Sequence, residues 1–339
     1  MSVRLILGGS GSGKSAFLYR ELIQRSIQEP DGKFFLIVPD QFSMQTQKDL
    51  VQMHEKKGIL NIDVLSFGRL THRIFEELGG VNRPMLDDTG KSLIVRRVAA
   101  LKKEQMPVIG GNLGKTGYVH EVKSAISEFM QYGIRGSDLE ELTEFSQKRG
   151  QLSAKLKDLK VIYEGFLEFI HDRFLTAEES LEVLADLLPS SELMRGSVVA
   201  FDGFTGFTPV QNRVLRCLFS MASEVLITVT LDGREDVSVQ QGEQELFSLS
   251  KKTVRSLEKL AREAGAVRGK DVVLNPPVLP RFLHAPALAH LERNLFRYPA
   301  RPFGEKPEEI RIFEASTQRE EVRQICISIR RLIRQKGYC

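Results

Sequence analysis

Hydrophobic residues fall along this chain in two rhythms. Short runs of β-branched, leucine and aromatic residues, bounded by turn formers, occur at Val3–Leu7, Phe34–Val38, Ile62–Leu65, Val198–Phe201 and Val225–Thr230. Such runs predict buried strands. Separated by helical stretches, they predict a parallel α/β sheet. Between Pro84 and Leu188 apolar residues return at helical spacing, which predicts helices near Leu86–Leu101, Val119–Tyr132 and Leu152–Phe174. The last of these carries Leu156, Leu159, Val161, Ile162, Phe166 and Ile170 on one broad face. A helical insertion inside the sheet domain follows from this change of rhythm, and no internal repeat is visible.

Prolines 276, 277, 280, 286, 299, 302 and 307 then crowd one segment. Proline lacks the N–H that helix interiors and central strands require, so the segment reads as an extended connection. After it, Ile310–Phe313 predicts a new strand and Arg319–Gln335 a helix. One strand cannot make a sheet, so this unit reads as the opening of a further domain. The resulting plan is a first sheet half (1–83), a helical insertion (84–190), a second sheet half (191–274), a proline-rich connection (275–307) and the start of a second domain (308–339).

Composition changes this picture little. The 339 residues suffice for one large or two ordinary domains, and 42% hydrophobic with 27% charged residues is ordinary for a globular protein. No apolar run approaches the ~20 residues that cross a bilayer. The N-terminus lacks the longer apolar core of a secretory signal, so a cytoplasmic location is expected. Cys217, Cys326 and Cys339 show no metal-ligand spacing and read as free thiols. The net charge of +4 permits a nucleic-acid partner without requiring one.

Chemistry enters at residues 8–15. Gly8-Gly9-Ser10-Gly11-Ser12-Gly13-Lys14-Ser15 matches G-x-x-x-x-G-K-[ST] in full, between a predicted strand and a predicted helix. Glycines let backbone N–H groups turn inward around phosphate oxygens, and the helix N-terminus adds its positive end. Lys14 would reach the β- and γ-phosphates of ATP, and Ser15 would ligate Mg²⁺. A flexible Gly/Ser turn with a chance lysine is the competing reading, and the strand–loop–helix context weighs against it. The second half of such a site needs a strand ending in a metal-binding acid, then a carboxylate to orient water. Val198-Val199-Ala200-Phe201-Asp202-Gly203 supplies Asp202 for the metal, but glycine at 203 cannot polarise water.

Phe201-Asp202-Gly203-Phe204-Thr205-Gly206-Phe207-Thr208-Pro209-Val210-Gln211 resembles the D-E-x-Q-D segment of superfamily 1 helicases of the UvrD/Rep type. In that alignment the catalytic glutamate is Gly203, the glutamine Thr205 and the second aspartate Gly206. Only seven residues precede Gly8, too few for the adenine-contacting glutamine segment of those helicases. Phe35–Ser43 and Val64–Phe75 fall where the helicases contact single-stranded DNA, and Ile310–Ser316 with Glu320-Glu321-Val322 resembles the start of their second motor domain. Taken with the V-P-D-Q loop at 38–41, the L-S-F-x-R-L run at 65–70 and D-G-F-x-x-F-T-P at 202–209, the whole chain is similar to the AddB family of bacterial AddAB helicase–nucleases.

The resemblance implies a RecA-like P-loop parallel sheet domain of the α/β class, with a helical insertion and the beginning of a second RecA-like domain. It implies a partner, an AddA-type helicase/nuclease subunit that supplies the motor in a heterodimer acting in double-strand break repair by homologous recombination. The AddB module would bind single-stranded DNA and read the Chi hotspot, with its own hydrolysis of ATP defective. Gln41, Ser43, Phe67, Arg69, His72 and Phe207 fall at the reading positions. Aromatic faces stack unstacked bases, Arg69 can contact guanine through two hydrogen bonds, and Gln41 and Ser43 can reach base edges or phosphates. The iron–sulfur cluster and nuclease metal of the family are expected only in a C-terminal part beyond these residues.

Plainer readings stand beside these. Phe67 and Phe207 could be core aromatics, and Arg69 could pair locally. Arg330, Arg331, Arg334 and Lys336 read as a solvated helix face, and Asp87 and Asp88 as helix caps. His54, His120, His171, His284 and His290 form no metal pattern. A working P-loop ATPase or kinase, or a scaffold with structural nucleotide, are the competing functions.

Overall fold

The computed structural model describes residues 1–80, 83–239 and 242–338. The chain divides into two units, Met1–Asn275 and Pro276–Cys339.

The first unit begins with β1 (Ser2–Gly8), the phosphate loop and α1 (Lys14–Gln28), then β2 (Phe34–Ile37), α2 (Ser43–Met53), β3 (Ile62–Leu65) and α3 (Phe67–Leu78). Five helices follow: α4 (Asp88–Leu101), α5 (Thr116–Tyr132), α6 (Gly136–Phe145), α7 (Gly150–Ile170) and α8 (Ala177–Leu187). The chain returns to the sheet through β4 (Val198–Phe201), α9 (Pro209–Met221), β5 (Glu224–Thr230), α10 (Ser248–Glu263), β6 (Val267–Arg268) and β7 (Val272–Leu274). The strands form one seven-stranded sheet in the order β3-β2-β4-β5-β1-β6, with β7 also pairing β1. Every pairing is parallel. This is a RecA-like α/β fold. All five strands expected in this unit form, each ending within one residue of the expected bounds.

Side-chain alternation splits the sheet's packing into two layers. Val3, Leu5 and Leu7 of β1 join Phe35, Ile37, Val199 and Phe201 under α3, α8, α9 and α10. Ile6 joins Phe34, Leu36 and Ala200 under α1, with Leu18, Leu22 and Ile23. The insertion has a core of its own, built by Ile94, Val95, Val98, Ile126, Ile162 and Phe166. The three expected helices appear there, at slightly different bounds, and α6 is an addition. Asp87 caps α4, its carboxylate accepting from Gly90 N at 2.6 Å. The chain leaves and re-enters the sheet layer at one place, where Met85 bridges Leu175 and Leu86 N donates to Leu175 O. α8 is already part of the sheet layer, since Leu184 and Ala185 pack in its core.

In the second unit the structure corrects two expectations. Ile310–Phe313 is not a strand: the segment has no ladder partner among the described residues, and Ile312 and Phe313 are exposed. An alternating apolar pattern only suits a sheet edge, and none is offered here. The proline-rich connection is also not uniformly extended, because it contains α11 (Pro286–Asn294). Pro286 sits at the start of that helix, where its missing N–H costs nothing, and no proline follows until Pro299. The terminal helix forms as α12 (Gln318–Lys336), and none of its residues is buried.

Candidate nucleotide and nucleic-acid sites

The phosphate loop connects β1 to α1. Gly11 and Gly13 adopt φ of 76° and 92°, which glycine enters without strain. The Lys14 ammonium donates to the carbonyls of Gly8 and Gly9, both at 2.9 Å. The Gly8 carbonyl also accepts from Leu231 N at the end of β5. A Cβ on Gly8 would lie 2.4 Å from Ser12 Oγ and 2.9 Å from the Leu274 carbonyl, so only glycine fits there. Ser12 is buried, and its hydroxyl has no hydrogen-bond partner among the described residues. A buried hydroxyl without a partner costs about 1–3 kcal/mol, which a phosphate oxygen would relieve. Gly9, Ser10 and Ser15 complete the loop, with Ser10 exposed and Ser15 half-buried in the first turn of α1. The start of α1 has no side-chain cap, which leaves its N–H groups open to an anion. These residues fit a phosphate group.

The other half of the site lies at the end of β4, two strands away with β5 between. Asp202 is buried, and each of its carboxylate oxygens accepts from a hydroxyl: Tyr19 at 2.9 Å and Thr228 at 2.6 Å. The Tyr19 hydroxyl lies 3.4 Å from that of Thr46. Burial, reinforced by the Asp202 charge, pushes the Tyr19 phenol well above the ordinary tyrosine range. Asp202 is therefore the acceptor of a buried hydroxyl network joining α1, α2, β4 and β5. Gly203 follows with φ of 80°, and a Cβ there would lie 3.5 Å from Pro39 and 3.6 Å from the Phe42 ring. The space would admit a side chain, but the backbone disfavours one.

The loops after β2, β3 and β4 meet at the same sheet edge. Gln41, Phe67, His72, Phe204 and Gln211 line a groove of about 370 Å³. Arg69 lies on an adjoining depression of about 320 Å³, which shares His72 with the groove. Phe207 lines a third cavity of about 730 Å³ toward α10, and shares Phe204 with the first. Five of the six expected DNA-reading residues thus line neighbouring cavities. Ser43 stands apart at the start of α2, its hydroxyl donating to the Asp40 carbonyl at 2.9 Å. Phe67 differs from the expectation in its role. It is 8% exposed and packs against Phe201 and Phe204 at centroid distances of 6.0 and 5.6 Å, so its ring supports the groove from the core and offers little face to a base. Phe207 is half-buried and stacks on Phe204 at 5.2 Å.

A family model described as "ADDB, N-terminal" matches residues 5–292. The chain belongs to the AddB N-terminal family. Curated relatives agree with that placement. One from Lachnoclostridium phytofermentans, named as a subunit of an ATP-dependent helicase/deoxyribonuclease, is 42% identical over the whole chain. Proteins of the same name from Caldanaerobacter subterraneus and Acetivibrio thermocellus are 35% and 33% identical over 99% of it. The chain spans 29–30% of the length of these relatives.

Within this AddB N-terminal chain, two features escape a residue-by-residue reading of the sequence, although the first falls inside the Phe35–Ser43 segment. Phe42 is 46% exposed at the tip of the β2 loop and lies over Gly203, which makes it the accessible aromatic where Phe67 is not. The hydroxyl network on Asp202 is equally hidden, because Tyr19, Thr46 and Thr228 come from three separate segments. Among the described residues no cluster of His, Cys, Asp or Glu could hold a metal ion, and no helix is long and apolar enough to cross a membrane. Cys217 and Cys326 are free thiols, and Cys339 lies outside the described residues.

Proposed function

We propose that this chain is the helicase-like module of an AddB-type subunit in a helicase–nuclease complex that repairs double-strand breaks by homologous recombination. It binds ATP with Mg²⁺ at the phosphate loop, hydrolyses it poorly, and holds single-stranded DNA at the loops after β2, β3 and β4. An AddA-type subunit is its partner and supplies the motor, and the DNA-facing loops read the Chi hotspot.

The observation that carries this reading is the end of β4. Asp202 is spent on two buried hydroxyls, and the next residue is a glycine in a left-handed conformation where a motor needs a carboxylate. The phosphate loop, two strands away, keeps a full cradle. Lys14 and the loop N–H groups would hold the β- and γ-phosphates of ATP, and Ser15 with Asp202 would hold Mg²⁺ directly or through water. Such binding orders the loop without supplying a base for water. At the loops, Gln41, Arg69 and His72 supply hydrogen-bonding groups at an exposed edge, while Phe42 and the Phe204–Phe207 pair supply ring faces.

Steady-state ATP turnover by this chain, with and without single-stranded DNA, tests the reading. Turnover should stay at background in both conditions, while a fluorescent nucleotide binds and Lys14→Ala weakens that binding by on the order of a hundredfold. Strong DNA-stimulated turnover, lost in Lys14→Ala, would overturn the proposal in favour of a working motor. In the assembled complex, Arg69→Ala should weaken the hotspot response and leave DNA-driven ATP turnover nearly intact. Phe42→Ala should cost about 1–3 kcal/mol of binding to single-stranded DNA.

A further inference from the structure

The helical insertion carries an arrangement that the loops do not explain. Phe169, near the end of α7, has two guanidinium groups over its ring: Arg97 of α4 with its carbon 5.5 Å from the centroid, and Arg173 just beyond α7 at 5.1 Å. One ring therefore holds two positive charges within roughly 11 Å of each other. Both arginines are exposed, and the ring between them is half-buried. Beside them in sequence, Glu168 pairs with Lys102 at 3.4 Å and Asp172 lies 2.9 Å from the His171 ring. Among the described residues neither guanidinium has a carboxylate partner. Like charges gathered on one surface repel, and cation–π contact fixes each guanidinium while leaving N–H donors outward. The pair is thus an ordered, electron-poor surface suited to an anion with more than one negative group.

Its position connects it to the groove already described. Met85 and Ala177 line that groove. Arg83 lies two residues before Met85, and its guanidinium donates to the Phe174 carbonyl at 3.4 Å. Arg173 lies four residues before Ala177, so its Cα is at most about 14 Å from that wall of the groove. The bridge of Met85 to Leu175 holds the two segments side by side. Arg83, Arg173 and Arg97 therefore mark a basic path from the groove, across the point where the insertion leaves the sheet, onto the insertion.

We propose that Arg97 and Arg173, pinned on Phe169, clamp the phosphodiester backbone of single-stranded DNA as it leaves the groove across this junction. The proposal rests on the reading of the groove as a DNA site, and it adds a sequence-independent contact. The clamp touches phosphates, so it lengthens the bound footprint and fixes register without reading bases. A repeating line of phosphates matches a path of three arginines.

Fluorescence anisotropy of the full 339-residue chain with labelled oligothymidylates of two lengths tests it, one of about 5 nucleotides that fills only the groove and one of about 20 that reaches the insertion. The unsubstituted chain should bind the longer oligomer more tightly. Arg97→Ala with Arg173→Ala should remove on the order of tenfold in affinity for the longer oligomer, lower its salt slope by about 1.4, and leave the shorter one unchanged. Arg97→Lys with Arg173→Lys should keep most of the salt slope, because the charges remain. Equal losses on both lengths, or no loss on the longer one, overturn the clamp. Preserved DNA binding alongside lost binding of a polyglutamate peptide also overturns it, in favour of an acidic protein partner. Failure of the unsubstituted chain to bind either length sinks the DNA reading of the groove itself, a result distinct from failure of the clamp.

Discussion

Two strand ends on one parallel sheet differ in this chain. At the end of β1, glycine backbone, a buried hydroxyl with no partner among the described residues and a lysine lie together in a loop that suits a phosphate. At the end of β4, the acid that should face that space accepts from Tyr19 and Thr228. The first end leaves the buried Ser12 hydroxyl without a hydrogen bond among the described residues. The second has satisfied its polar groups internally. On the proposed reading, phosphate binding and water activation are separable on this fold: the loop proposed to bind is local to one turn, whereas an acid–water arrangement needs a second strand to present charge outward. A network that satisfies Asp202 from within contributes to stability.

The largest effect expected is at the β1 end. Gly8→Val would place branched carbon where Ser12 and the Leu274 carbonyl already stand, the latter only 2.9 Å from a Cβ. The backbone carbonyl cannot move away as a flexible side chain can. Nucleotide affinity should fall by on the order of a thousandfold, about 4 kcal/mol, read by titration with a fluorescent nucleotide. Retained tight binding would show that the cradle is not where nucleotide sits. The next effect is at β4. Asp202→Ala leaves the Tyr19 and Thr228 hydroxyls buried without their acceptor, and should destabilise the chain by about 3 kcal/mol in urea unfolding. An unchanged midpoint would mean that Asp202 is held for ligand binding and contributes nothing to the fold.

A milder change sharpens the same contrast. Tyr19→Phe removes one of the two donors to Asp202 and should cost about 1 kcal/mol. It also carries a pH signature. Tyr19 in the folded state holds its proton above the ordinary tyrosine value near 10, so its contribution is fully present below that value and is lost as pH rises beyond it. The unsubstituted chain should lose stability above about pH 10 more steeply than Tyr19→Phe, by denaturant titration at several alkaline pH values. Parallel slopes would disprove the buried phenol.

What sequence can reveal follows the same divide between local and assembled features. The phosphate loop is legible because its conformation is set within eight residues. Strands β2 and β4 are legible because fully buried strands leave unbroken apolar runs, and β1, β3 and β5 because only single polar residues interrupt theirs. Nothing in the chain announces that β5 lies between β1 and β4, or that Thr228 of β5 reaches Asp202 at the end of the adjacent β4. The place of Phe67 at a strand-to-loop junction suggests contact with DNA. The helix signal beside it decides otherwise: Ser66 caps α3 by accepting from Arg69 N, and the helical period then buries Phe67, Leu70, Thr71 and Ile74. The same period turns Arg69 and His72 outward. Ile310–Phe313 fails for the opposite reason, since its pattern needs an adjacent strand that the described residues do not provide.

The smallest effect expected is the most telling one for the divergence of the two ends. Gly203→Glu restores by residue type the carboxylate that a motor carries after its metal-binding acid. If the proposed defect in hydrolysis came from that missing carboxylate alone, the substitution would raise turnover. The backbone at 203 argues against recovery, because φ of 80° costs a residue with a Cβ about 1–2 kcal/mol and aims the side chain differently from a strand-end residue. Pro39 and the Phe42 ring also stand on the side where the new side chain begins. A modest stability loss of about 1 kcal/mol with ATP turnover still at background is therefore expected in the same assay used for the unsubstituted chain. Turnover rising with DNA in Gly203→Glu would instead place the whole defect in one missing carboxylate, and would leave the hydroxyl network on Asp202 as a feature compatible with a working motor.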